Sequence, residues 1–340
     1  MQQATVEVLI QEAYALVDAN GSVNFAFQGG EPTLAGLEYF EKFVTLAKKL
    51  RPAHVQVTYA IQTNGMLLNE QWATFLREYD FLVGLSMDGY KDLHDCYRAD
   101  VNNQGSWSTV RNAFQLLQNH KVRVNILCVV TKQCAQRPEK VYNELKKMGA
   151  RYIQFIACMD PIGKPRGKMP FSLTPALYGK FLCRLFDLWY RDWETGNYHS
   201  IRLFDDYVNI LLGNSCGTCA TCGRCGNYFV VEGDGSVYPC DFFVLDRWRL
   251  GCLGEDTLKD MSCSEKTRKF LLWGSRKPAQ CRSCRWRRLC DGGCKNDWQD
   301  ENGVLENYYC EAFRALFAHA EQRLLTIARA EQTARRQIGV

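Results

Sequence analysis

The chain has 340 residues, 46% of them apolar and 23% charged, with a net charge of +5. This composition can build a sizeable core and excludes a disordered chain, and so mild a positive excess does not mark a nucleic-acid binder. No stretch approaches the roughly 18–20 apolar residues that a membrane span needs, and Met1-Gln-Gln-Ala-Thr-Val-Glu-Val lacks the basic start and apolar run of a signal peptide, so the expected location is cytoplasmic, without a membrane partner.

In chain order, the first half alternates helical and strand patterns. Thr5–Val17 has helical apolar spacing, Val23–Gln28 reads as a strand and Leu37–Leu50 as a helix. Val55–Gln62 is a strand, Glu70–Tyr79 a helix, Phe81–Ser86 a strand and Trp107–Asn119 a helix. Val122–Val130 is a strand, Pro138–Met148 a helix and Tyr152–Ala157 a strand. Most strands are rich in β-branched and other apolar residues, as expected for strands buried on both faces, and the alternation predicts a parallel sheet closed fully or partly into a barrel. Each strand ends in a polar or glycine-bearing segment: Gln28-Gly-Gly-Glu-Pro32, Gln62-Thr-Asn-Gly65, Ser86-Met-Asp-Gly89, Thr131-Lys132 and Cys158-Met-Asp-Pro161. Ligand sites of parallel α/β folds lie at the carboxyl ends of strands, so that face is the predicted site.

Pro175–Trp193 reads as a long helix, and Ile201–Leu212 as a strand or helix leading out of the barrel. From about Asn214 the composition shifts to Cys, Gly and Arg. Phe229–Tyr238 reads as two short strands around Asp234-Gly235, a hairpin that delivers Cys240 and Asp241 side by side. Cys310–Ala328 returns to a helical pattern, and the basic tail Arg329–Val340 is expected to fray. There is no internal repeat.

Cysteine carries the chemistry. There are 17 cysteines, an odd number, and in a reducing compartment they favour metal ligation over disulfides. Cys281, Cys284, Cys290 and Cys294 form C-x2-C-x5-C-x3-C, followed by Cys310 and preceded by Cys216, Cys219, Cys222, Cys225 and Cys240. A cluster of iron and sulfide takes four thiolates, and the last Cys of a tight run can serve a neighbouring cluster. The sets so formed are Cys219, Cys225, Cys240 and Cys294 for one [4Fe–4S] cluster, and Cys281, Cys284, Cys290 and Cys310 for a second. Cys216 and Cys222 are alternates for Cys219, and structural zinc is the alternative metal. Cys96, Cys128, Cys134, Cys158, Cys183, Cys252 and Cys263 stand singly and read as small buried hydrophobes. Arg282, Arg285, Arg287 and Arg288 face solvent or offset cluster charge, with a nucleic-acid patch as the lesser reading.

These residues carry a resemblance. Phe25-Ala-Phe-Gln-Gly-Gly-Glu-Pro-Thr-Leu-Ala35, Gln62-Thr-Asn-Gly65, Val83-Gly-Leu-Ser-Met-Asp-Gly89, Asn125-Ile-Leu-Cys-Val-Val-Thr131 and Val230-Val-Glu-Gly-Asp-Gly-Ser-Val-Tyr-Pro-Cys-Asp-Phe242, with Cys281 to Cys310, resemble the anaerobic sulfatase-maturating enzymes. These are radical S-adenosylmethionine (SAM) proteins with a C-terminal SPASM twin-cluster domain, and the resemblance covers essentially the whole chain. It implies an α/β fold: a partial (β/α)6 radical SAM barrel lacking its first strand over 1–200, a small Cys-rich α+β SPASM domain over 201–310, and a C-terminal helix and tail over 311–340. It implies that the backbone of Gly29, Gly30 and Glu31 holds the amino group of SAM, that Ser86 and Arg98 contact its ribose and carboxylate, that Met159 lies against the adenine, and that Asp241 is the general base.

The implied reaction is oxidation of a Cys or Ser in a sulfatase peptide, in a Cys/Ser-x-Pro-x-Arg context, to formylglycine. The implied partners are that sulfatase and an electron donor such as flavodoxin or ferredoxin, without nucleic acid. The family also opens with a strand and a C-x3-C-x2-C motif for the cluster that cleaves SAM. No such motif lies within Met1–Val340. The expectation is therefore of a chain begun at an internal Met or from an incomplete gene. It would carry two auxiliary clusters, would start no radical chemistry as written, and would have the third cluster only at full length. Two other readings stand beside this one: a radical SAM/SPASM maturase of another peptide, and an electron-transfer or peptide-binding module that uses the auxiliary clusters alone.

Overall fold

A computed structural model describes all residues except 19, 162–163, 227, 302 and 339–340. Six strands form one parallel sheet in sequential order: β1 (Ser22–Phe27), β2 (Gln56–Thr63), β3 (Leu82–Ser86), β4 (Arg123–Val130), β5 (Tyr152–Ala157) and the short β6 (Ser200–Ile201). Strictly sequential order with every pair parallel requires a crossover between each pair of neighbours, and helices supply them. These are α2 (Leu37–Leu50), α3 (Glu70–Glu78), α4 (Lys91–Tyr97), α5 (Trp107–Asn119), α6 (Lys132–Ala135), α7 (Pro138–Lys147) and α8 (Pro175–Glu194), with α1 (Gln3–Ala15) ahead of β1.

The helices form where the apolar spacing requires it. In α2, Phe40, Phe43, Val44 and Ala47 recur on one face and are buried against β1, where Phe43 meets Phe25 and Phe27 edge-on. Helix α8 starts at Thr174, whose hydroxyl accepts from Leu177 N, with Pro175 in the first turn, and it buries Phe181, Leu182, Leu185, Phe186 and Trp189. Central strands β3 and β4 bury Val83, Leu85, Ile126, Cys128 and Val130, in keeping with a sheet covered on both faces. β1 and β6 are the ends of the sheet, each paired on one side only among the described residues.

Beyond β6 the chain enters α9 (Arg202–Leu211), which resolves Ile201–Leu212 as a helix. The Cys-rich region then builds small elements: α10 (Cys219–Cys222), a three-stranded antiparallel sheet of β7 (Val230–Val231), β8 (Ser236–Tyr238) and β9 (Gly251–Cys252), α11 (Leu258–Cys263), α12 (Glu265–Ser275), α13 (Arg287–Cys290), and an antiparallel pair, β10 (Trp298–Glu301) with β11 (Val304–Asn307). The hairpin around Asp234-Gly235 is present, with Gly235 at φ 91°, a conformation that favours glycine. Helix α14 (Cys310–Ile338) closes the chain along α8 and α9. The frayed tail expected from Arg329 is therefore helical through Ile338, with 339–340 outside the described residues. Its Ala, Glu, Gln and Arg residues are strong helix formers that continue the helix begun at Cys310.

The main core runs through the barrel and into α14, where Leu316, Phe317, Ala320 and Leu324 are buried with Phe186, Trp189, Phe204 and Tyr207. Among the described residues, the Cys-rich region adds two small apolar clusters, the first with Val8 and Leu9 of α1 and the following Leu16 packed against it. One is Val237, Leu253, Leu258 and Met261; the other is Cys240, Phe243 and Phe270.

Candidate functional site

The carboxyl ends of β1 to β5 gather the predicted segments at one mouth. After β1, Gly29 and Gly30 have φ of 92° and 54°, and a Cβ at either would meet no atom within 4 Å, so these glycines serve backbone conformation and leave the mouth open. The Glu31 side chain turns into the protein. Its carboxylate accepts from Thr33 N at 3.1 Å, Thr33 Oγ1 at 2.6 Å, Thr63 Oγ1 at 2.8 Å and Asn64 N at 2.7 Å. One carboxylate thus ties the loop after β1 to the loop after β2, and the Gly29-Gly30 backbone is fixed from behind.

Ser86 ends β3. Two residues on, buried Asp88 accepts from Val129 N at 2.7 Å and from Arg98 Nε at 2.5 Å. Arg98 is held at the mouth by this pair, with about a quarter of its side chain exposed. Asp88 N donates in turn to Nδ1 of the fully buried His94 at 3.2 Å, and His94 Nε2 meets Ser106 Oγ at 2.9 Å. After β5, Met159 is exposed and receives a hydrogen bond from Asn296 Nδ2 at 3.4 Å, across from the Cys-rich region. Burial, then the Asp160 and Asp88 carboxylates, push the neighbouring Cys158 thiol up to about 11.

Asp241 comes to the same mouth from the other side. Tyr228 O–H donates to Asp241 Oδ1 at 2.7 Å and lies 3.3 Å from Cys240 Sγ, while Gln28 Nε2, at the end of β1, donates to Asp241 Oδ2 at 3.4 Å. Burial, with hydrogen bonds to Cys240 and Asp241, drives the Tyr228 pKa far above the usual phenol range, so Tyr228 stays a donor. The exposed Asp241 carboxylate therefore has each oxygen anchored by a neutral donor, beside a candidate ligand thiol and facing the Gly29-Gly30 segment.

The cysteines converge as two sets. Cys281, Cys284, Cys290 and Cys310 line one largely apolar pocket with Trp286, Phe313 and Phe317. Burial first, then the neighbouring Cys281, Cys310 and Cys284 thiols, push Cys290 up to about 12. Cys294 is likewise pushed to about 12 by burial, with Asp297, Cys219 and Cys240 adding to it, and Cys240 to about 11, chiefly by burial. Cys219 feels Cys225 and Asp241 beyond its own burial. The last Cys of the tight run thus faces the hairpin set. Cys216 and Cys222 are joined in a disulfide, which leaves Cys219 as the free thiol of that segment and goes against the expectation of ligation in place of disulfides. The segment is short and Thr218-capped, which brings the two sulfurs together around one helical turn.

The donor chemistry fits iron–sulfur clusters. Four thiols around a largely apolar pocket suit a body with several metal atoms. Spacing identified these cysteines. It did not identify Gln28, Tyr228 or Asp88, whose roles rest on contacts across long sequence separations.

A Radical SAM superfamily model matches residues 1–154, and an iron–sulfur cluster-binding SPASM domain model matches 219–285. The cysteine-type anaerobic sulfatase-maturating enzyme of Clostridium perfringens is 44% identical over 333 residues, covering 96% of this chain and 89% of that protein. The chain belongs to the anaerobic sulfatase-maturating enzymes. The family comprises radical SAM oxidoreductases that convert a sulfatase Cys or Ser to formylglycine. A serine-type anaerobic sulfatase-maturating enzyme of Bacteroides thetaiotaomicron is 32% identical, covering 94% of this chain and 80% of that one. The solved structure of native anSMEcpe with bound AdoMet and the Kp18Cys peptide superposes with a TM-score of 0.93 at 42% identity, covering 97% of this chain and 91% of that one. The expected family and fold are thereby established for a sulfatase-maturating enzyme with a radical SAM barrel and a SPASM region. Among the described residues no helix is long and apolar enough to cross a membrane.

Proposed function

We propose that this chain, joined to the family's C-x3-C-x2-C segment, oxidises a cysteine of a sulfatase peptide to formylglycine, with Asp241 as the base that takes the substrate's thiol proton. The observation that carries the reading is the convergence of Asp241, Gln28 and Tyr228 at the barrel mouth, next to Cys240. Relatives of the cysteine type share 41–44% identity with the chain and those of the serine type 32%, which supports the cysteine substrate.

When bound, SAM with its iron–sulfur cluster would supply a carbon radical able to remove a Cβ hydrogen, and the auxiliary clusters would supply an acceptor for the remaining electron. The chain's own residues do the rest. The Gly29-Gly30-Glu31 backbone binds the SAM amino group, with Glu31 fixing that loop to β2. Ser86 and Arg98 meet the ribose and carboxylate, and the Asp88 pair orients the Arg98 guanidinium. Met159, steadied by Asn296, lies against the adenine. Cys219, Cys225, Cys240 and Cys294 hold one cluster, and Cys281, Cys284, Cys290 and Cys310 hold the other. Asp241 accepts a proton at the oxygen least engaged by its donors, and Tyr228 and Gln28 keep the carboxylate turned to the mouth. The substrate is a sulfatase segment of the Cys/Ser-x-Pro-x-Arg type, and a flavodoxin or ferredoxin supplies electrons.

The test uses the chain extended by the C-x3-C-x2-C strand of the family's pattern. Asp241→Asn should keep its iron and its 5′-deoxyadenosine formation, yet lose formylglycine formation by about 10²–10⁴-fold, the usual worth of a positioned base. Mass spectrometry of a Cys-type and a Ser-type peptide reads both product and preference. Product at the parent rate would remove Asp241 from the mechanism.

A further inference from the structure

Lys295 follows the ligand candidate Cys294 directly and is 3% exposed. Its Nζ donates to Phe270 O at 2.7 Å and sits 3.0 Å from the Phe270 ring centre, 4.6 Å from that of Trp273 and 5.3 Å from that of Phe243. Trp248 stacks behind Trp273 at 5.7 Å and 5°, so the cage is rigid. Burial pulls the Lys295 pKa below the usual ammonium range, and the nearby Cys225, Cys240 and Cys294 oppose that drop. Among the described residues no carboxylate pairs with Lys295. The acidic groups nearest this set are engaged elsewhere, Asp297 with Arg166 and Asp241 with Tyr228 and Gln28.

A buried ammonium is costly unless something nearby carries the opposite charge. Ring faces and one carbonyl offset part of that cost. The rest is matched when the three sulfurs ligate as thiolates, because a coordinating thiol is deprotonated outright. The backbone is shaped for that close approach. A Cβ on Gly274 of α12 would fall 2.6 Å from Cys225 Sγ and 3.6 Å from Lys295 Cδ, so only glycine lets α12 close over the pair.

We propose that Lys295 is the residue that raises the reduction potential of the cluster held by Cys219, Cys225, Cys240 and Cys294, and so makes that cluster the acceptor of the substrate's electron. The proposal rests on the cluster assignment of the preceding section. The reduced cluster carries one more negative charge than the oxidised one, and a fixed positive charge in a dry site favours the reduced form. The electron is the one the substrate gives up after losing a hydrogen atom from Cβ and a proton from sulfur, as its carbon–sulfur double bond forms. Lys295 neither gains nor loses an electron or a proton in the step. It is a positioning charge, and its partner in sequence, Cys294, links it to the ligand set.

The experiment is an EPR-monitored redox titration of the reconstituted chain. Iron content is measured first: Cys225→Ala should fall from about eight irons to about four, at four per four-thiolate cluster. An unchanged iron content there would defeat the cluster assignment itself, separately from Lys295. Lys295→Met and Lys295→Gln remove the charge, and Lys295→Arg keeps it. In the neutral variants, the reduction that is absent from Cys225→Ala should weaken by about tenfold or more, which is about 59 mV for one electron, while the other reduction stays in place. Lys295→Arg should lie close to the parent. A neutral variant with full iron and an unmoved potential overturns the proposal, as does an Arg variant shifted as far as Met. Loss of this cluster from both neutral variants also overturns it, by making Lys295 a folding residue.

Discussion

The buried groups around Asp88 show how single side chains hold the mouth in shape. Asp88 grips Arg98 and Val129 N, its own N–H donates to His94, and Ser106 Oγ, bonded to His94, donates to Arg98 O at 2.8 Å. Since Nδ1 must accept from Asp88 N, the imidazole is neutral with its proton on Nε2. Burial lowers the His94 pKa to about 4, with Asp88 opposing and Arg98 adding to the drop. A histidine lowered in the folded state keeps its stabilising effect above the unfolded value of about 6.5, and loses it as pH falls toward the folded value, because only the unfolded chain then takes up the proton. Urea unfolding at about pH 7.5 and about pH 5.5 should show the parent losing about 1 kcal/mol more than His94→Gln between the two conditions. Equal losses would mean that His94 titrates alike in both states. The sequence pointed to Ser86-Met-Asp-Gly89 because a polar segment follows a strand. His94 lay in a seven-residue helix with no motif, and its role arises from a fold that returns Ser106 to it.

Among the elements, α14 has two jobs. It starts at Cys310, in the wall of the second thiol pocket, and then lies along α8 of the barrel. The close point is Gly179 on α8, where an added Cβ would stand 3.2 Å from Ala312 Cα and 3.5 Å from Ala315 Cβ. Ala312 is one turn or less from Cys310, so the spacing of the two helices sets where that sulfur stands. Gly179→Val overfills this crossing at about 1–3 kcal/mol. It should push Cys310 out of the pocket, so that reconstituted protein holds about four irons instead of about eight. Full iron loading in Gly179→Val would show that α14 can move without carrying the ligand. The long barrel helices and buried strands were legible because their apolar periods run over many residues. The sequence analysis places no element between Asp241 and Cys281, and α11 and α12 form there with Thr257 and Ser264 caps. The hairpin of β10 with β11 was also missed, since most of its residues are polar and it is held by Tyr308 N and the Asn307 side chain rather than by an alternating apolar face.

At the scale of the molecule, two regions of unequal cohesion share one site. The barrel and α14 hold the large continuous core, whereas the Cys-rich region has two clusters of a few buried side chains each. They meet through some apolar packing, of Val8, Leu9 and Leu16 on the Val237 cluster and of Leu289 and Tyr309 on the main core, and through hydrogen bonds. Tyr309 O–H donates to Cys158 O at 3.2 Å, Leu258 N to Glu12 at 2.9 Å, Arg288 to Ile210 O at 3.1 Å, and Gln28 to Asp241. A region with so little apolar burial needs another source of stability, and the proposed four-thiolate sites would supply it, because a ligand set that exists only in the folded state turns binding energy into folding energy. Iron therefore does structural as well as chemical work here, and removing it should unmake one region and spare the other. After anaerobic chelation, hydrogen exchange should rise across 216–309, including β8 and α12, while β2 to β5, α8 and the middle of α14 keep their protection. The catalytic consequence follows from geometry: Asp241 and Tyr228 sit in the region that loosens and Gln28 in the one that does not, so the metal-free chain should lose the proposed base, Asp241, from the mouth without losing the barrel. Uniform deprotection, or protection of 216–309 unchanged by chelation, would each show that the Cys-rich region draws its stability from somewhere other than its clusters.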